Sequence, residues 1–447
     1  MNQGSALVQK TRQLAQATLM ANWRDGFAIP SARLYPFQWN WDAGFDALGF
    51  SYFDRPKAFA EVRSMFRGQW SNGMLPHIVF HRPNPNYFPG PDEWQTARSP
   101  FSPKGIQTSG ITQNPVFGFI LARIAEHLAP SGDLELEPFL REMFPKVLAF
   151  HRYLYRDRDP HGEGLVYIHH NWESMDNSPL WDSILARMDV SRARDVSALR
   201  QDNKRVDASE RPSDENYKRY IHIVDLLKSV DYDEQRSQSI MPLMVQDVLF
   251  NALLIKSNHG LIKVAKKLGL EAGELIEWNR RSIAALNTKL WDAQSGFYYS
   301  YDLRTKQRIP IKVVGGLMPL FAGACSPEQA QHLVRHLETE FVVGPDWRLC
   351  PSCAANEAVF DPLRYWRGPV WVNVNWMLHH GLRHYGFAAQ AERVRRDTIG
   401  LIEAHGMYEY FDPRPTNAGG VAHGLGADAF SWTASLYLDF INNTSPL

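Results

Sequence analysis

The chain has 447 residues, of which 44% are hydrophobic, and its 48 basic and 48 acidic residues give a formal net charge of zero. This apolar content supports a large folded core and argues against a disordered chain. The charge balance argues against nucleic acid as a partner, because binding it normally requires a basic excess or a basic face. No apolar run reaches the roughly 18 residues of a membrane-spanning helix.

Amphipathic helical windows recur along the chain, with apolar residues at positions i, i+3 and i+4. In chain order they are Ala6–Trp23, Asn114–Leu128, Leu136–Tyr155, Met241–Leu268, Glu274–Trp291, Pro327–Glu338, Val370–Tyr385, Gln390–His405 and Ala429–Ile441. Many helices without a short repeat favour an α-toroid over a solenoid. We therefore expect an all-α ring whose loops enclose a cleft at one end.

Strand signals are few and local. Ser295–Ile309 is typical of a small hairpin, and Gly164–His170 of a short extended run. Two long polar stretches, about Gln69–Thr108 and Asp182–Tyr220, have the length of lids over a cleft. The sequence thus predicts one domain over residues 1–447 that carries two insertions, 69–108 and 182–220.

Four segments combine carboxylates or arginines with aromatic side chains: Tyr35–Phe45, Asn171–Pro179, Arg364–Trp376 and Tyr408–Pro413. A carboxyl group held against an indole has a raised pKa, because desolvation disfavours its charged form, and it can then donate a proton at neutral pH. A second carboxylate that stays ionised can activate a water. Such a pair is the minimum for glycoside hydrolysis, and the 14 tryptophans offer stacking faces for sugar rings.

Seven motifs resemble glycoside hydrolase family 63, and within it the bacterial mannosylglycerate and glucosylglycerate hydrolases. They are WNWDAGF, QWSNGMLPHIVF, YFPGP, SGITQNP, WESMDNSP, RYWRGPVWVN and EYFDP with the later FSWTA. The resemblance runs in order from about Tyr35 to Asp439. It implies an (α/α)6 toroid, an inverting mechanism without a metal or cofactor, and an α-linked hexosyl-glycerate as the small-molecule substrate.

The resemblance also assigns roles by position in these motifs. It implies that Asp176 is the general acid and Glu409 the general base. The pocket for the non-reducing sugar and its surroundings would comprise Tyr35, Trp39, Trp41, Asp42, Gln113, Trp172, Tyr365, Trp366 and Trp371. The glycerate carboxylate would be held by Tyr87, Arg211 and Tyr217. A carboxylate also favours an arginine on general grounds, because the guanidinium fork matches its two oxygens.

The motif of the acid departs from the family pattern by one residue. Met175 alone separates Ser174 from Asp176, where the family has glycine plus one residue. The loop is therefore one residue short, and Glu173 and Asp182 stay open as alternative acids.

Other functions also stay open at this point. A trehalase-like or oligosaccharide-processing α-glucosidase would use the same toroid. A sugar epimerase on that toroid would use histidines such as His169 and His170, although their spacing to Glu173 matches no standard metal motif. A sugar-binding protein without catalysis is a further alternative.

Three cysteines, an odd and small number, argue against a disulfide framework, and the CPSC pair Cys350 and Cys353 is interpreted as incidental thiols. A reducing cytoplasm is therefore the expected compartment. The preference for glucose or mannose is left open. So is a homo-oligomer, since the outer faces of helical rings often pair.

Overall fold

In the computed structural model, residues 3–344, 349–415, 423–442 and 447 are described. The α-helices, in chain order, are α1 Gln3–Asn22, α2 Asn40–Ser51, α3 Arg55–Phe66, α4 Pro91–Trp94, α5 Phe117–Leu128, α6 Leu136–Asp157, α7 Asp182–Ala186, α8 Asp214–Ser229, α9 Glu234–Ile240, α10 Val248–Leu268, α11 Gly273–Ala285, α12 Pro319–Ala322, α13 Pro327–Thr339, α14 Val372–His384, α15 Ala388–His405 and α16 Ser431–Asn442. No described helix is long and apolar enough to cross a membrane.

Within the described part of the chain, six helices form a closed inner ring. They follow one another as α2, α5, α10, α12, α14 and α16, each packed on the next, and α16 packs back on α2. Further helices lie outside this ring: α3 against α2, α6 and α11 against α10, α15 against α14, and α1 against α16. The arrangement is the expected (α/α)6 toroid.

Over the described residues, twelve short strands are found, and all of their pairings are antiparallel. They are β1 Trp23–Arg24, β2 Phe27–Ala28, β3 Gln38–Trp39, β4 Ile78–Phe80, β5 Gln107–Thr108, β6 Val245–Gln246, β7 Trp291–Asp292, β8 Phe297–Tyr298, β9 Tyr301–Asp302, β10 Gln307–Arg308, β11 Tyr410–Phe411 and β12 Gly424–Leu425. Strands β9 and β10 form the expected hairpin, in which Lys306 takes a left-handed conformation with φ 57°. The expected extended run contributes one bridge, from Ile168 to Val245.

The helical windows of the sequence coincide with helices of the structure, apart from shifted ends. The window Met241–Leu268 begins too early, because Val245–Gln246 is a strand and α10 starts at Val248. The helices that lie outside the windows are α2, α3, α4, α7, α8, α9 and α12. Every side chain of α2 is buried, so this helix lacks the polar face that amphipathic periodicity requires.

Helices α5 and α10 approach closely because each presents a glycine to the other. A Cβ atom on Gly260 would lie 2.3 Å from the carbonyl oxygen of Gly118, and one on Gly118 would lie 2.1 Å from that of Ser257. The Ser257 hydroxyl accepts a hydrogen bond of 2.9 Å from the Gly118 N–H across this contact. The two helices can approach this closely only if positions 118 and 260 carry no side chain.

Gly260→Ala should therefore lower the free energy of unfolding by about 1–3 kcal/mol, since the added methyl group would overlap the backbone of α5. Gly400→Ala is the matched control. Gly400 lies exposed in α15, and a Cβ atom added there would meet no atom within 4 Å, so alanine should raise stability by about 0.5–1 kcal/mol. Denaturant midpoints check both changes, and equal shifts would contradict the close approach.

Candidate active site

A cavity lies where inner helices of the ring begin, and its empty space, together with the open solvent at its mouth, is about 710 Å³. Trp41 and Asp42 stand in the first turn of α2, Trp432 stands in the first turn of α16, and Gln113 comes just before α5. The other lining residues are Pro30, Tyr35, Trp39, His77, Tyr87, Trp172, Ser174, Asp176, Arg211, Pro212, Tyr217, Tyr365, Trp366, Glu409 and Phe430. The cavity thus joins the two acids that the resemblance singles out, although they lie far apart in sequence.

Every residue for which the resemblance implies a role lines this cavity except Trp371. The indole of Trp371 is 1% exposed and stacks behind Trp366, with ring centroids 3.8 Å apart and planes inclined by 5°. Its surroundings also include Tyr410, whose ring centroid lies 4.7 Å away. Trp371 therefore supports the wall without forming its surface. Sequence spacing does not show which of the two indoles, Trp366 or Trp371, faces the cavity.

Asp176 lies in the loop after the short turn Asn171–Glu173, with its side chain partly exposed to the cavity. No described residue donates a hydrogen bond to its carboxyl group. Burial among the surrounding protein raises the pKa of Asp176 well above its ordinary value; the Arg211 charge opposes this shift, and the Glu409 charge adds to it. The neutral form of Asp176 is thereby favoured.

Glu409 is 1% exposed, yet its carboxylate receives two hydrogen bonds. The Tyr35 hydroxyl donates to Oε1 over 2.7 Å, and the Ala427 N–H donates to Oε2 over 3.1 Å. Burial raises the pKa of Glu409, whereas Arg211 and these donors lower it. The pKa of Glu409 is raised overall, because burial outweighs these influences. The donors still favour its ionised form, whereas Asp176 has no such donor among the described residues, so the two carboxyl groups of one cavity differ in their surroundings.

Asp42 is a third carboxyl group in the cavity, and it is 4% exposed. Burial raises its pKa well above the ordinary value, followed by repulsion from Asp46 one helical turn further on. Flat aromatic faces stand beside it, with the ring centroids of Trp41 and Trp366 5.9 Å apart. Gln113 is fixed beside this wall, because its Oε1 accepts a 3.1 Å hydrogen bond from the Trp41 N–H. The combination of hydroxyl acceptors and indole faces suits a sugar ring.

Arg211 is the cation of the cavity wall and is 7% exposed. Its guanidinium carbon lies 4.4 Å from the ring centroid of Tyr365. Its Nη1 donates to the Tyr35 hydroxyl over 3.0 Å, and its Nε donates to Asp202 over 3.1 Å. Asp202 in turn accepts a 2.8 Å bond from Arg200, and these two arginines hold the pKa of Asp202 down at about 2. A cation fixed in this way beside a cavity can receive an anionic ligand.

The alternative acids of the shortened loop have other partners. Glu173 is fully buried and pairs with Arg158, whose Nη2 donates to Oε1 over 3.1 Å and whose Nη1 donates to Oε2 over 3.2 Å. Asp182 accepts two hydrogen bonds, of 2.9 and 2.7 Å, from Arg367. Neither carboxylate lines the cavity, so among these three acids Asp176 is the one that faces it.

The histidines considered for an epimerase hold the acid loop together. His170 accepts a 3.1 Å hydrogen bond at Nδ1 from the Trp172 N–H, and its Nε2 lies 3.0 Å from the Tyr220 carbonyl. His169 Nε2 lies 2.9 Å from an Arg158 nitrogen, which must be the donor. Neither histidine lines the cavity. Over the described ranges, no group of three or more His, Cys, Asp or Glu side chains could hold a metal ion.

Among the cavity residues without a role in the sequence analysis, two have a ring nitrogen that lacks a described partner. His77 Nδ1 and Trp432 Nε1 are buried without a hydrogen-bond partner among the described residues. Burial lowers the pKa of His77 to about 3, so its ring is neutral. Both residues belong to motifs that carry the resemblance, but residue type alone does not separate a ligand-facing nitrogen from a packed one.

Comparison with known proteins agrees with this geometry. Residues 35–433 match the family model described as "Mannosylglycerate hydrolase MGH1-like glycoside hydrolase domain". The crystal structure of a family 63 mannosylglycerate hydrolase from Thermus thermophilus with Tris and D-glycerate superposes with a TM-score of 0.88 at 40% identity, over 97% of this chain and 100% of that one. The chain belongs to glycoside hydrolase family 63.

Two curated relatives match nearly the whole length of this family 63 enzyme. A mannosylglycerate hydrolase of Thermus thermophilus is 42% identical over 95% of this chain and 99% of its own length. A glucosylglycerate hydrolase of Mycolicibacterium hassiacum is 32% identical over 96% of this chain and 98% of its own length. A cytosolic neutral trehalase of Kluyveromyces lactis is 26% identical over only 43% of this chain, so the trehalase-like alternative is the more distant one.

The different surroundings of Glu173 and Asp176 predict different effects on stability. Glu173→Ala should lower the free energy of unfolding by about 3 kcal/mol or more, because it removes a carboxylate that faces the buried Arg158. Asp176→Asn should change it by less than about 1 kcal/mol, because the Asp176 carboxyl has no described donor. Denaturant unfolding of both variants checks this. A loss of stability for Asp176→Asn as large as that for Glu173→Ala would contradict the difference between their surroundings.

Proposed function

We propose that this family 63 enzyme hydrolyses α-hexosyl-glycerates, either glucosylglycerate or mannosylglycerate or both, to free hexose and D-glycerate with inversion at the anomeric carbon. The observation that carries the proposal is a buried arginine beside two carboxyl groups of opposite environment in one cavity. The similarity to enzymes named mannosylglycerate hydrolase and glucosylglycerate hydrolase supports the same substrate class.

In the proposed mechanism, Asp176 is the general acid. Its raised pKa favours the protonated carboxyl group, and no described donor competes for its oxygens. This proton passes to the glycosidic oxygen as the bond to the anomeric carbon breaks. Departure of glycerate as an alcohol then leaves no negative charge on the leaving oxygen.

Glu409 is the proposed general base. The bonds from Tyr35 and Ala427 favour its anionic form, which can take a proton from the water that attacks the anomeric carbon. A water must fit between Glu409 and the sugar, so we expect the carboxyl groups of Asp176 and Glu409 to lie ~6.5–9.5 Å apart when substrate is bound. A separation near ~5 Å would suit a retaining mechanism instead.

The substrate is proposed to lie across the cavity between these acids. The hexose would stand against the indoles of Trp41 and Trp366, with Asp42 and Gln113 accepting or donating hydrogen bonds at its hydroxyl groups; Trp39 and Tyr35 complete that wall. The glycerate would stand beside Arg211. Residues Tyr87, Trp172, Tyr217 and Tyr365 would enclose it.

We further propose that the two insertions, 69–108 and 182–220, cover the cleft of a single catalytic domain. Tyr87 in the first insertion and Arg211 and Tyr217 in the second all line the cavity. We also keep the cytoplasm as the proposed compartment. The three cysteines Cys325, Cys350 and Cys353 are unpaired, as in a reducing environment.

The assignment of acid and base predicts the pH dependence. Activity should fall on the acid side as Glu409 takes up a proton and on the alkaline side as Asp176 loses one, since burial raises both pKa values. Asp176→Asn should lower kcat on hexosyl-glycerates roughly 10²- to 10⁴-fold and remove the alkaline limb. Steady-state rates across pH measure this, and an alkaline limb that persists in Asp176→Asn would move the acid elsewhere.

Release of reducing sugar from glucosylglycerate and mannosylglycerate tests the proposed activity, with trehalose and the neutral hexosylglycerols as controls. The hexosylglycerol carries CH2OH in place of the carboxylate and is otherwise matched. Arg211→Ala should lower kcat/KM on the glycerates roughly 10²-fold and on the glycerols far less, because only the former lose a charge-assisted bond. Equal losses on both substrates would contradict the role of Arg211, and no release from either glycerate would contradict the function.

A further inference from the structure

The hydroxyl group of Tyr35 stands between the two charged groups that the proposed function uses. Arg211 Nη1 lies 3.0 Å from it, and Glu409 Oε1 lies 2.7 Å from it. A guanidinium only donates hydrogen bonds, so Arg211 donates to the Tyr35 oxygen. The single Tyr35 proton is then free for Glu409. The two bonds form a directed chain from the cation, through one phenol, to the proposed base.

Arg211 is placed to respond when an anion enters the cavity. Its Nε is held by Asp202 and its face by the ring of Tyr365, so the guanidinium cannot swing away as a whole. A carboxylate that binds it must share its charge with the acceptors already present, among them Tyr35. Such sharing weakens the hydrogen bond from Arg211 to Tyr35, and the Tyr35 O–H group then donates less strongly to Glu409.

The pKa of Glu409 depends on this change, because Arg211 is the positively charged side chain among the groups that act on it. The described groups that act on it electrostatically or by hydrogen bonds are Tyr35, Asp42, Asp176, Arg211, Tyr365, Tyr410 and the Ala427 N–H. Arg211 lowers the pKa of Glu409, first among the influences that oppose burial. An empty enzyme therefore holds a weakened base, since a carboxylate stabilised by a cation takes up protons less readily.

We propose that Tyr35 is a positioning residue that couples occupancy of Arg211 by a substrate carboxylate to the reactivity of Glu409. A glycoside with an anionic leaving group then makes the base stronger by binding, and a neutral glycoside of the same size does not. This inference rests on the proposed function and deepens it. With this coupling, the preference for a substrate that carries a carboxylate affects kcat as well as KM.

The chain offers a matched control for the Tyr35 hydroxyl. The Tyr365 hydroxyl lies 3.1 Å from that of Tyr35, and the Tyr365 ring lies under the same guanidinium. No described hydrogen bond joins Arg211 to the Tyr365 hydroxyl. Tyr365→Phe therefore removes a phenol that also lowers the pKa of Glu409, but it leaves the two bonds from Arg211 through Tyr35 to Glu409 in place, so its response to D-glycerate is compared with its own rate without D-glycerate. Tyr35→Phe breaks that chain and keeps the ring.

The test uses an α-hexosyl fluoride, whose leaving group requires little acid catalysis, so that its rate reports on the base. In the wild-type enzyme, added D-glycerate should raise kcat about three- to tenfold and move the acid limb upward by about half to one pH unit. In Tyr365→Phe the same response should persist. In Tyr35→Phe, D-glycerate measured by calorimetry should still bind, but the response should be clearly smaller, because only the direct charge of Arg211 then acts on Glu409.

Replacement of Tyr35 by 3-fluorotyrosine gives a second variant that keeps the hydroxyl and the fold. Its more acidic phenol donates more strongly, so the acid limb without D-glycerate should move to lower pH, opposite to Tyr35→Phe. Equal responses to D-glycerate in the wild type and Tyr35→Phe would overturn the coupling. So would a wild type that hydrolyses hexosyl-glycerates but does not respond. A wild type that hydrolyses neither glycerate would instead contradict the proposed function itself.

Discussion

The 2.7 Å hydrogen bond from Tyr35 to Glu409 is the interaction on which the chemistry of the site depends. Two carboxyl groups that share one cavity resist being charged together, because each raises the pKa of the other. Tyr35 and the Ala427 N–H place donors on Glu409, while Asp176 has none among the described residues. In the proposed function, this difference in donors favours the proton on Asp176 and the charge on Glu409, and so gives two similar chemical groups opposite roles.

The toroid makes that difference possible by bringing loops from all parts of the chain to one end. The loop of Asp176 is held from behind by the Arg158–Glu173 ion pair, in which both side chains are fully buried. Glu409 stands directly before β11, whose Phe411 bridges to Val370. The rigid part of the molecule thus lies under the acid and the base, and the polar insertion carries Arg211, which recognises the leaving group in the proposed function.

Periodicity predicted the helices that have one polar face, but not α2, which is buried on all sides, nor α8, which begins at Asp214 inside a predicted insertion. Motif positions predicted which side chains surround the cavity, although only some of those motifs lie at the ends of inner helices. They could not separate Trp366 from Trp371 behind it. Nor could they reveal that Tyr35 contacts Arg211 and Glu409, which follow it by 176 and 374 positions in the chain. Contacts over such sequence separations exist only in the folded ring.

In the proposed function, Glu409 activates a water on the face of the sugar opposite Asp176. Proton NMR during the first turnovers of an α-hexosyl-glycerate, before the free sugar mutarotates, shows which anomer the enzyme releases. We expect the β-anomer of the hexose to appear first and the α-anomer only later. An α-anomer formed first would mean a covalent intermediate on one of the carboxylates, and would contradict the roles assigned to both acids.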